Sequence, residues 1–260
     1  MVTRRRNAYA VLALSFGALA LPAGAWGSSG GAGLTSSPPT QTTGSTPSTG
    51  STPSPTAKTA NGNVTVTTAG NGVSLQARAS SMRRKGLTFS GTAPSQDAGD
   101  TIVIERSGHQ TNWRWAQTVT TTIAPNGSFQ AVWQTNHIGR FAIRAVLSRS
   151  SAAQTASATP SMTVTVYRSS LASWYGGAGE YGRRTACGKK LTATTIGVAN
   201  LSLKCGTQVA LYYDGRTMVV PVIDRGPYVK GRDWDLTAAT AKALGFNGVA
   251  PIGAVSLPQP

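Results

Sequence analysis

The stretch VALYYDGRTMVVPVID, residues 209–224, predicts the local fold of the C-terminal part of the chain. Two apolar runs flank the dipeptide Asp214-Gly215, which is a strong signal for a two-residue β-hairpin turn. Pro221 lacks an N–H donor, so the second strand is expected to carry an edge or a bulge there. By alternation, Asp224 continues the apolar face of this strand, and we expect it at the end of a partly buried strand.

The sequence after this hairpin contains one convincing helix, which covers residues 238–244. Thr237 can cap its start and Gly245 can end it. The other segments between residues 168 and 260 have the pattern of strands. The pattern therefore predicts a mainly β domain with one short helix.

Residues 63–167 show period-two alternation of apolar and polar residues, interrupted by Gly-rich and Asn-rich turns. Several short alternating strands with regular turns are typical of a β-sandwich. The stretches 101–106, 126–129 and 139–144 resemble bacterial immunoglobulin-like repeats, which implies a spacer or adhesion module. Trp113 and Trp115 lie two residues apart, and burial in the sandwich core is favoured over a carbohydrate-stacking pair.

The N-terminal 62 residues are expected to lie outside both domains. Arg4-Arg5-Arg6, an apolar run and Ala23-Gly24-Ala25 predict a signal peptide over residues 1–25 that is cleaved after Ala25. Residues 26–62 are rich in Ser, Thr, Pro and Gly, which predicts a disordered linker. The mature protein is therefore expected to be secreted or associated with the cell wall, in an extracytoplasmic compartment where disulfides persist.

The composition of the chain excludes several classes of protein. The 260 residues include 24 Lys+Arg and 8 Asp+Glu, for a net charge of +16, but charged residues are only 12% of the chain. The basicity comes from scarce acids and is spread along the chain, which argues against a histone-like or ribosomal protein. Two Cys and two His exclude a multi-Cys zinc fold. We expect no metal, no cofactor and no nucleic acid, and an anionic wall polymer as the partner.

Five motifs in the C-terminal domain carry a resemblance to a known family. They are Ala172-Ser173-Trp174-Tyr175-Gly176, Arg184-Thr185-Ala186-Cys187-Gly188, Gly206-Thr207-Gln208-Val209, Ile223-Asp224-Arg225-Gly226-Pro227-Tyr228 and Asp235-Leu236-Thr237. In this order they resemble the rare lipoprotein A (RlpA) family of double-psi β-barrels, which is related in fold to expansins. The fold class expected for the chain is therefore mainly β: an immunoglobulin-like β-sandwich followed by a six-stranded double-psi β-barrel with one short helix.

The resemblance also implies a function. Active members of the family are lytic transglycosylases of peptidoglycan, in which one acid protonates the glycosidic oxygen and the sugar's 6-hydroxyl forms a 1,6-anhydro ring. Asp224 and Asp235 are the expected catalytic residues, with Asp224 as the acid and Asp235 as the positioning or second acid. The residues expected to bind substrate are Trp174, Tyr175, Arg183, Thr185, Arg225 and Tyr228.

The environment of Asp224 leaves a structural role open. Burial would raise the pKa of its carboxyl group, while the nearby basic residues would lower it. In the structural interpretation, Asp224 pairs with Arg225 or with a backbone turn, and Asp235 supports the start of the helix.

Two positions depart from the family pattern. Lys189 stands where catalytic members usually have Glu, and Asn200 stands where they usually have His. Both changes remove acid–base capacity. They favour a second hypothesis, a non-catalytic, expansin-like module that binds glycan or loosens the wall.

Cys187 and Cys205 are expected to form a disulfide. They are the two cysteines of the chain, they lie in one exported domain, and each precedes a Gly at a turn-like position. The mature protein is expected to be a monomer with no stable membrane anchor after signal cleavage.

Overall fold

The computed structural model describes residues 58–149 and 157–258. The predicted signal peptide and residues 26–57 of the predicted linker lie outside this part of the chain. The strands that precede the barrel are β1 (Ala60–Asn61), β2 (Thr65–Gly70), β3 (Val73–Arg78), β4 (Ser80–Met82), β5 (Gly86–Thr92), β6 (Thr101–Ser107), β7 (Ala116–Thr122), β8 (Ser128–Gln134), β9 (Gly139–Ser148) and β10 (Ser157–Ala158). They are followed by β11 (Met162–Tyr175), β12 (Val198–Ala199), β13 (Gln208–Tyr213), β14 (Arg216–Asp224), β15 (Trp234–Thr237), α1 (Ala238–Leu244) and β16 (Ala250–Ser256).

The middle region consists of two sheets that share one apolar core. One sheet has the strand order β2-β3-β5-β8, and the other contains β7, β6, β9 and the first half of β11. Alternate residues of β9, such as Phe141 and Ile143, are buried, while their neighbours are partly exposed. Phe89 and Leu75 of the facing sheet belong to the same buried cluster. The predicted alternation is thus present, whereas the immunoglobulin-like assignment stays a prediction.

The C-terminal region forms the predicted closed six-stranded barrel. Its strands follow the order β11-β16-β13-β14-β12-β15, and β15 closes the barrel by pairing with β11. The β11–β15 and β12–β14 pairs are parallel, and the other four pairs are antiparallel. The buried side chains inside the barrel include Leu211, Val220 and Leu236.

The turn and helix signals of the C-terminal sequence are confirmed. Asp214 and Gly215 both have positive φ, at 45° and 74°, which is the conformation that a two-residue hairpin turn between β13 and β14 requires. Helix α1 begins after Thr237, whose side chain accepts a hydrogen bond from the Thr240 N–H. The helix ends at Gly245 in the left-handed region.

Strand β11 belongs to both the middle region and the barrel. Its residues 162–166 pair with β9, and its residues 168–172 pair with β16. The strand therefore runs across the domain boundary that we placed between residues 167 and 168. Ala60 and Asn61 fall inside the predicted linker, but they pair with β14 of the barrel. Next to them, the Gly62 N–H donates a hydrogen bond to the Gly215 carbonyl in the β13–β14 hairpin turn.

The prediction of buried tryptophans at positions 113 and 115 is wrong. Trp113 is 44% exposed and Trp115 is 37% exposed. Trp113 lies in the turn that follows a short 3-10 helix, His109–Thr111, and not in a strand. Trp115 packs its ring against the Arg144 guanidinium, 4.2 Å from the ring centroid. The alternation rule fails here because residues 108–114 form a folded loop.

No helix in the described ranges is long and apolar enough to span a bilayer.

Candidate functional site

The two predicted catalytic aspartates lie on strands that flank the same short strand. Ala199 of β12 is in register with Asp224 of β14 on one side and with Asp235 of β15 on the other. On the far side of β15, Asp235 is in register with Ser173 of β11. Because neighbouring strands are roughly 4.8 Å apart, this register places the two aspartate backbones about 10 Å from each other. The barrel thus brings together residues that are separated along the chain.

Backbone donors fix the carboxylate of Asp224. Its Oδ1 accepts hydrogen bonds from the Ala186 N–H and from the Arg225 N–H, each at 2.8 Å. The Arg225 guanidinium donates to the backbone carbonyls of Asn200 at 3.2 Å and Asp224 at 3.4 Å and to the Cys205 sulfur at 3.4 Å, and not to the Asp224 carboxylate. Of the structural alternatives, the backbone contact is therefore present, and the charged side chain of Arg225 does not pair with this carboxylate.

A short turn delivers the Ala186 N–H to Asp224. The Thr185 N–H donates to the Lys189 carbonyl, and the Gly188 N–H donates to the Thr185 carbonyl, each at 2.8 Å. The predicted disulfide joins this turn to the segment before β13, with 5.7 Å between the Cα atoms of Cys187 and Cys205. The disulfide prediction is confirmed. The cross-link holds the turn at the end of β14, next to Asp224.

Asp235 lies in a different environment from Asp224. Its Oδ1 accepts a hydrogen bond from the Ser173 hydroxyl at 2.9 Å. Burial raises the pKa of Asp235, and the nearby carboxylates of Glu180 and Asp224 raise it further, against the lowering effects of Ser173 and Arg232. Asp235 does not cap helix α1, because Thr237 does so. Asp235 is thus a carboxyl group whose surroundings favour the protonated form.

The Tyr175 hydroxyl is a buried polar group next to both aspartates. It has no hydrogen bond of ideal geometry among the described residues, but the Asp224 carboxylate is close enough to act as its acceptor. Burial raises the pKa of Tyr175, and the negative charges of Asp224, Asp235 and Glu180 contribute to the same shift. The phenol therefore keeps its proton, and it is available to donate that proton to a ligand or to a carboxylate.

Glu180 belongs to this cluster, although the sequence analysis did not assign it to the site. Its Oε2 accepts hydrogen bonds from the Gly176 N–H at 2.8 Å and from the Gly177 N–H at 3.3 Å. The carboxylate thus organises the turn that follows Tyr175, and its charge acts on both Tyr175 and Asp235. The available signal was its position four residues after a motif glycine, Gly176.

The residues expected to bind substrate fall into two groups. Trp174 and Tyr228 expose 43% and 82% of their surfaces, and Arg183 is also exposed. These three can contact a ligand from outside. Thr185 is buried, and its hydroxyl accepts a hydrogen bond from the Lys189 N–H. Thr185 and Arg225 therefore have contacts within the protein that organise the neighbourhood of Asp224.

The two positions that depart from the family pattern have different surroundings. Lys189 is exposed, and its backbone closes the Thr185 turn. The Asn200 amide donates to the Asp233 carbonyl at 3.1 Å, and its oxygen accepts from the Ser202 and Leu203 N–H groups. Asn200 thus ties the loop after β12 to the segment before β15. Among the described residues, no group of three or more His, Cys, Asp or Glu side chains is placed to hold a metal ion.

Comparison with known proteins bears on the same segment. Residues 168–254 match the family model described as lytic transglycolase. The "Probable endolytic peptidoglycan transglycosylase RlpA" of Aquifex aeolicus (strain VF5) is 44% identical over 92 residues, which are 34% of this chain and 40% of that protein. The protein of the same name from Synechocystis sp. is 37% identical over 97 residues, which are 36% of this chain and 30% of that protein. The match therefore spans less than half the length of these curated relatives.

One solved structure is similar over the same share of the chain. It is the Streptomyces papain inhibitor (SPI), with 27% identity, coverage of 34% of this chain and 92% of that chain, and a TM-score of 0.26. We base no argument on that likeness. The family match, the related sequences and the closed barrel agree with one another: residues 168–254 match the lytic transglycolase family, are similar to RlpA proteins, and form a closed six-stranded β-barrel.

Proposed function

We propose that the barrel binds a peptidoglycan glycan strand outside the cytoplasm and cleaves it as a lytic transglycosylase. The observation that carries this proposal is the register that sets Asp224 and Asp235 on either side of Ala199, with the buried Tyr175 hydroxyl close to both. The names of the RlpA relatives support the choice of substrate and reaction. The predicted signal peptide supports the location.

The surroundings of the two aspartates suggest complementary roles. We assign the general acid to Asp235, because burial raises its pKa and favours the protonated form that a donor needs. Asp224 is the partner base, since its Oδ1 is fixed by two backbone N–H groups. This assignment reverses the roles that the sequence alone suggested. Environments that differ at two nearby carboxyls are the usual way in which one site supplies both an acid and a base.

The reaction balances with these two groups alone. Asp235 transfers its proton to the glycosidic oxygen as the bond from that oxygen to the anomeric carbon breaks. The 6-hydroxyl of the same sugar attacks the anomeric carbon, forms the 1,6-anhydro bond and gives its proton to Asp224. The two carboxyl groups then exchange one proton, which restores the starting state. No water is consumed. The reaction therefore differs from glycoside hydrolysis, in which water takes part and a second carboxylate acts as base or nucleophile.

A neutral Tyr175 fits this arrangement as a hydrogen-bond donor. Its raised pKa keeps the proton on the phenol, so its hydroxyl can donate to the Asp224 carboxylate or to a bound sugar. Exposed Trp174 and Tyr228 supply apolar ring surface around the same motifs, where sugar rings can stack. The glycan would thus meet aromatic contacts outside the carboxylate cluster and polar groups within it.

The alternative is a non-catalytic module that binds glycan or loosens the wall. The observation in its favour is Asn200, which stands at the family's usual His position and whose side chain is held by four hydrogen bonds within the protein. Exposed Lys189 adds to this argument, because an ammonium group cannot replace a carboxylate. This alternative predicts glycan binding without formation of an anhydro product.

Mass spectrometry of purified glycan strands after incubation with the protein separates the two functions. The proposal predicts 1,6-anhydro products from the wild type, and a decrease of roughly 10²–10⁴-fold in their rate for Asp235→Asn and for Asp224→Asn, because each variant loses a proton-transfer group. Asp233→Asn is the matched control, since the Asp233 side chain is 44% exposed, pairs with Arg168 at 3.4 Å and is not in register with Ala199. It should retain the wild-type rate.

Two results would contradict the proposal in different ways. Absence of anhydro products from the wild type, with binding retained, would establish the non-catalytic alternative. Anhydro products formed at the same rate by the wild type and both amide variants would instead reject the aspartates as the catalytic pair.

A further inference from the structure

A second concave surface lies at the junction of the middle region and the barrel, away from the carboxylate cluster. It is a cleft of about 690 Å³ to which both parts of the chain contribute, with His109, Trp113 and Arg140 on one side and Gln208, Val219 and Ser256 on the other. Val219 precedes Asp224 by five residues on β14, which corresponds to about 17 Å along the strand. We call this surface the junction cleft.

Trp113 is presented to the junction cleft by a rigid loop. The Gly108 N–H donates to the Thr111 hydroxyl, and the Trp113 N–H donates to the Gly108 carbonyl at 2.9 Å. The Gln110 amide attaches the loop to the Ile138 carbonyl at 2.8 Å. Only glycine fits at position 108, because a Cβ there would lie 2.8 Å from the Arg140 carbonyl oxygen. The position of the indole is therefore set by the fold.

The backbone of Trp113 adopts a conformation that is unfavourable for a bulky residue. Its φ is 60°, in the left-handed region, and Asn112 before it has a φ of 49°. Asn tolerates this region, whereas a large aromatic residue rarely occupies it. Strained backbone of this kind is concentrated at ligand-binding positions. Here it holds an indole that remains 44% exposed at the edge of a cleft.

The charges that line the junction cleft indicate the charge of the ligand that it can bind. No Asp or Glu lines it. Arg140 is exposed, its charge acts on the Tyr167 phenol, and it takes part in none of the ion pairs among the described residues. In the middle region, Glu105 and Asp97 are paired with Arg144 and Arg149, so their charges do not compensate Arg140. A guanidinium without an ion pair and an exposed indole, both lining one cleft, suit a ligand that has both a carboxylate and a flat apolar face.

We propose that the junction cleft is a second glycan-binding site, which takes a carboxylate-bearing sugar of a wall glycan strand. Trp113 stacks on the sugar ring, Arg140 binds the carboxylate, and the side chains of Ser256 and Gln208 contact the sugar hydroxyls. A strand held here would extend toward the carboxylate cluster along the barrel. The inference concerns binding, and it does not depend on whether the barrel cleaves glycan.

The test measures binding of peptide-free peptidoglycan strands to the full mature chain in the Asp235→Asn background, where the ligand stays intact. Trp113→Asn removes the ring but suits the left-handed backbone, and Arg140→Gln removes the charge. Each should weaken binding by about tenfold or more, as loss of a central Trp or Arg contact does. Trp115→Ala is the matched control, because Trp115 is an exposed tryptophan of the same region that does not line the cleft, and it should bind as the parent does.

Two further ligands test the chemistry. Chitooligosaccharides have similar sugar rings without the carboxylate, so Trp113→Asn should weaken their binding and Arg140→Gln should not. Unchanged binding of peptidoglycan strands by Trp113→Asn and Arg140→Gln would overturn the site. Tight binding of polyglycerol phosphate that competes with the strands would overturn the choice of a carboxylate ligand. Thermal melting establishes whether each variant is folded. If Trp113→Asn does not fold, Arg140→Gln tests the site by itself, because it changes only an exposed side chain.

Discussion

Removal of the disulfide tests how the barrel holds its site together. Cys187 and Cys205 are separated by 18 positions in the sequence. For a closed loop of this length, the chain-entropy model gives about 3 kcal/mol of stability at 25 °C. The described residues belong to one compact unit, and for a protein of this size each 1 kcal/mol lowers the Tm by roughly 2–4 °C. The double variant Cys187→Ser, Cys205→Ser should therefore melt about 6–12 °C below the wild type.

The same change should affect the carboxylate cluster. Without the cross-link, the turn that contains Ala186 is attached to the end of β14 through two hydrogen bonds. One joins the Ala186 N–H to Asp224, and the other, longer at 3.3 Å, joins the Cys187 N–H to the Ile223 carbonyl. We expect faster hydrogen exchange at Ala186 and a lower rate of anhydro-product formation below the melting range.

Calorimetry with and without a reductant provides the control for the disulfide prediction. The reduced wild type should have the same Tm as the double variant, and the reductant should not change the Tm of the variant. A reduced wild type that melts within about 2 °C of the oxidised protein would refute the reasoning.

Asp235 and Asn200 give two more predictions. Because the pKa of Asp235 is raised above its ordinary 3.8, its protonated form stabilises the fold at low pH. That contribution is lost as the pH rises from about 3.8 through the raised pKa, so Asp235→Asn should increase the Tm at neutral pH. The cleavage rate of the wild type should fall as the pH rises through the raised pKa, because Asp235 then loses the proton that it donates. Calorimetry and rate measurements across pH would contradict this if the variant were less stable than the wild type at pH 7. Asn200→His should lower the free energy of unfolding by about 0.5–1.5 kcal/mol, because part-buried and exposed backbone groups lose their side-chain hydrogen bonds. It should not increase the cleavage rate. Urea denaturation measures the first effect, and an increase in rate would contradict the second.

The barrel was predictable from the sequence because its signals are local. Asp214-Gly215 requires a hairpin turn, and Thr237 and Gly245 mark the ends of a helix, whatever the rest of the chain does. The order of the five motifs then implied the family. The proximity of Asp224 and Asp235 could not be derived in this way, because it depends on the register of β12, a strand of two residues.

The environment of the site was less predictable than its members. Burial of Tyr175 and the part played by Glu180 depend on how a loop folds back over the barrel end, and no periodicity in the sequence encodes that. Trp113 illustrates the opposite error. Its spacing from Trp115 fits a strand, but the contacts of Gly108 with Thr111 and Trp113 form a loop and leave the indole exposed.

Strand β11 has a consequence for how the molecule transmits force and denatures. Its 14 residues are hydrogen-bonded in the middle region at one end and in the barrel at the other, so no loop separates the two cores at this crossing. The pairing of β1 with β14 makes a second connection. Fraying of β11 at one end therefore breaks hydrogen bonds of a strand that also belongs to the other region. Loss of one core should destabilise the other, and a glycan strand that pulls on the barrel would load the middle region without an intervening hinge.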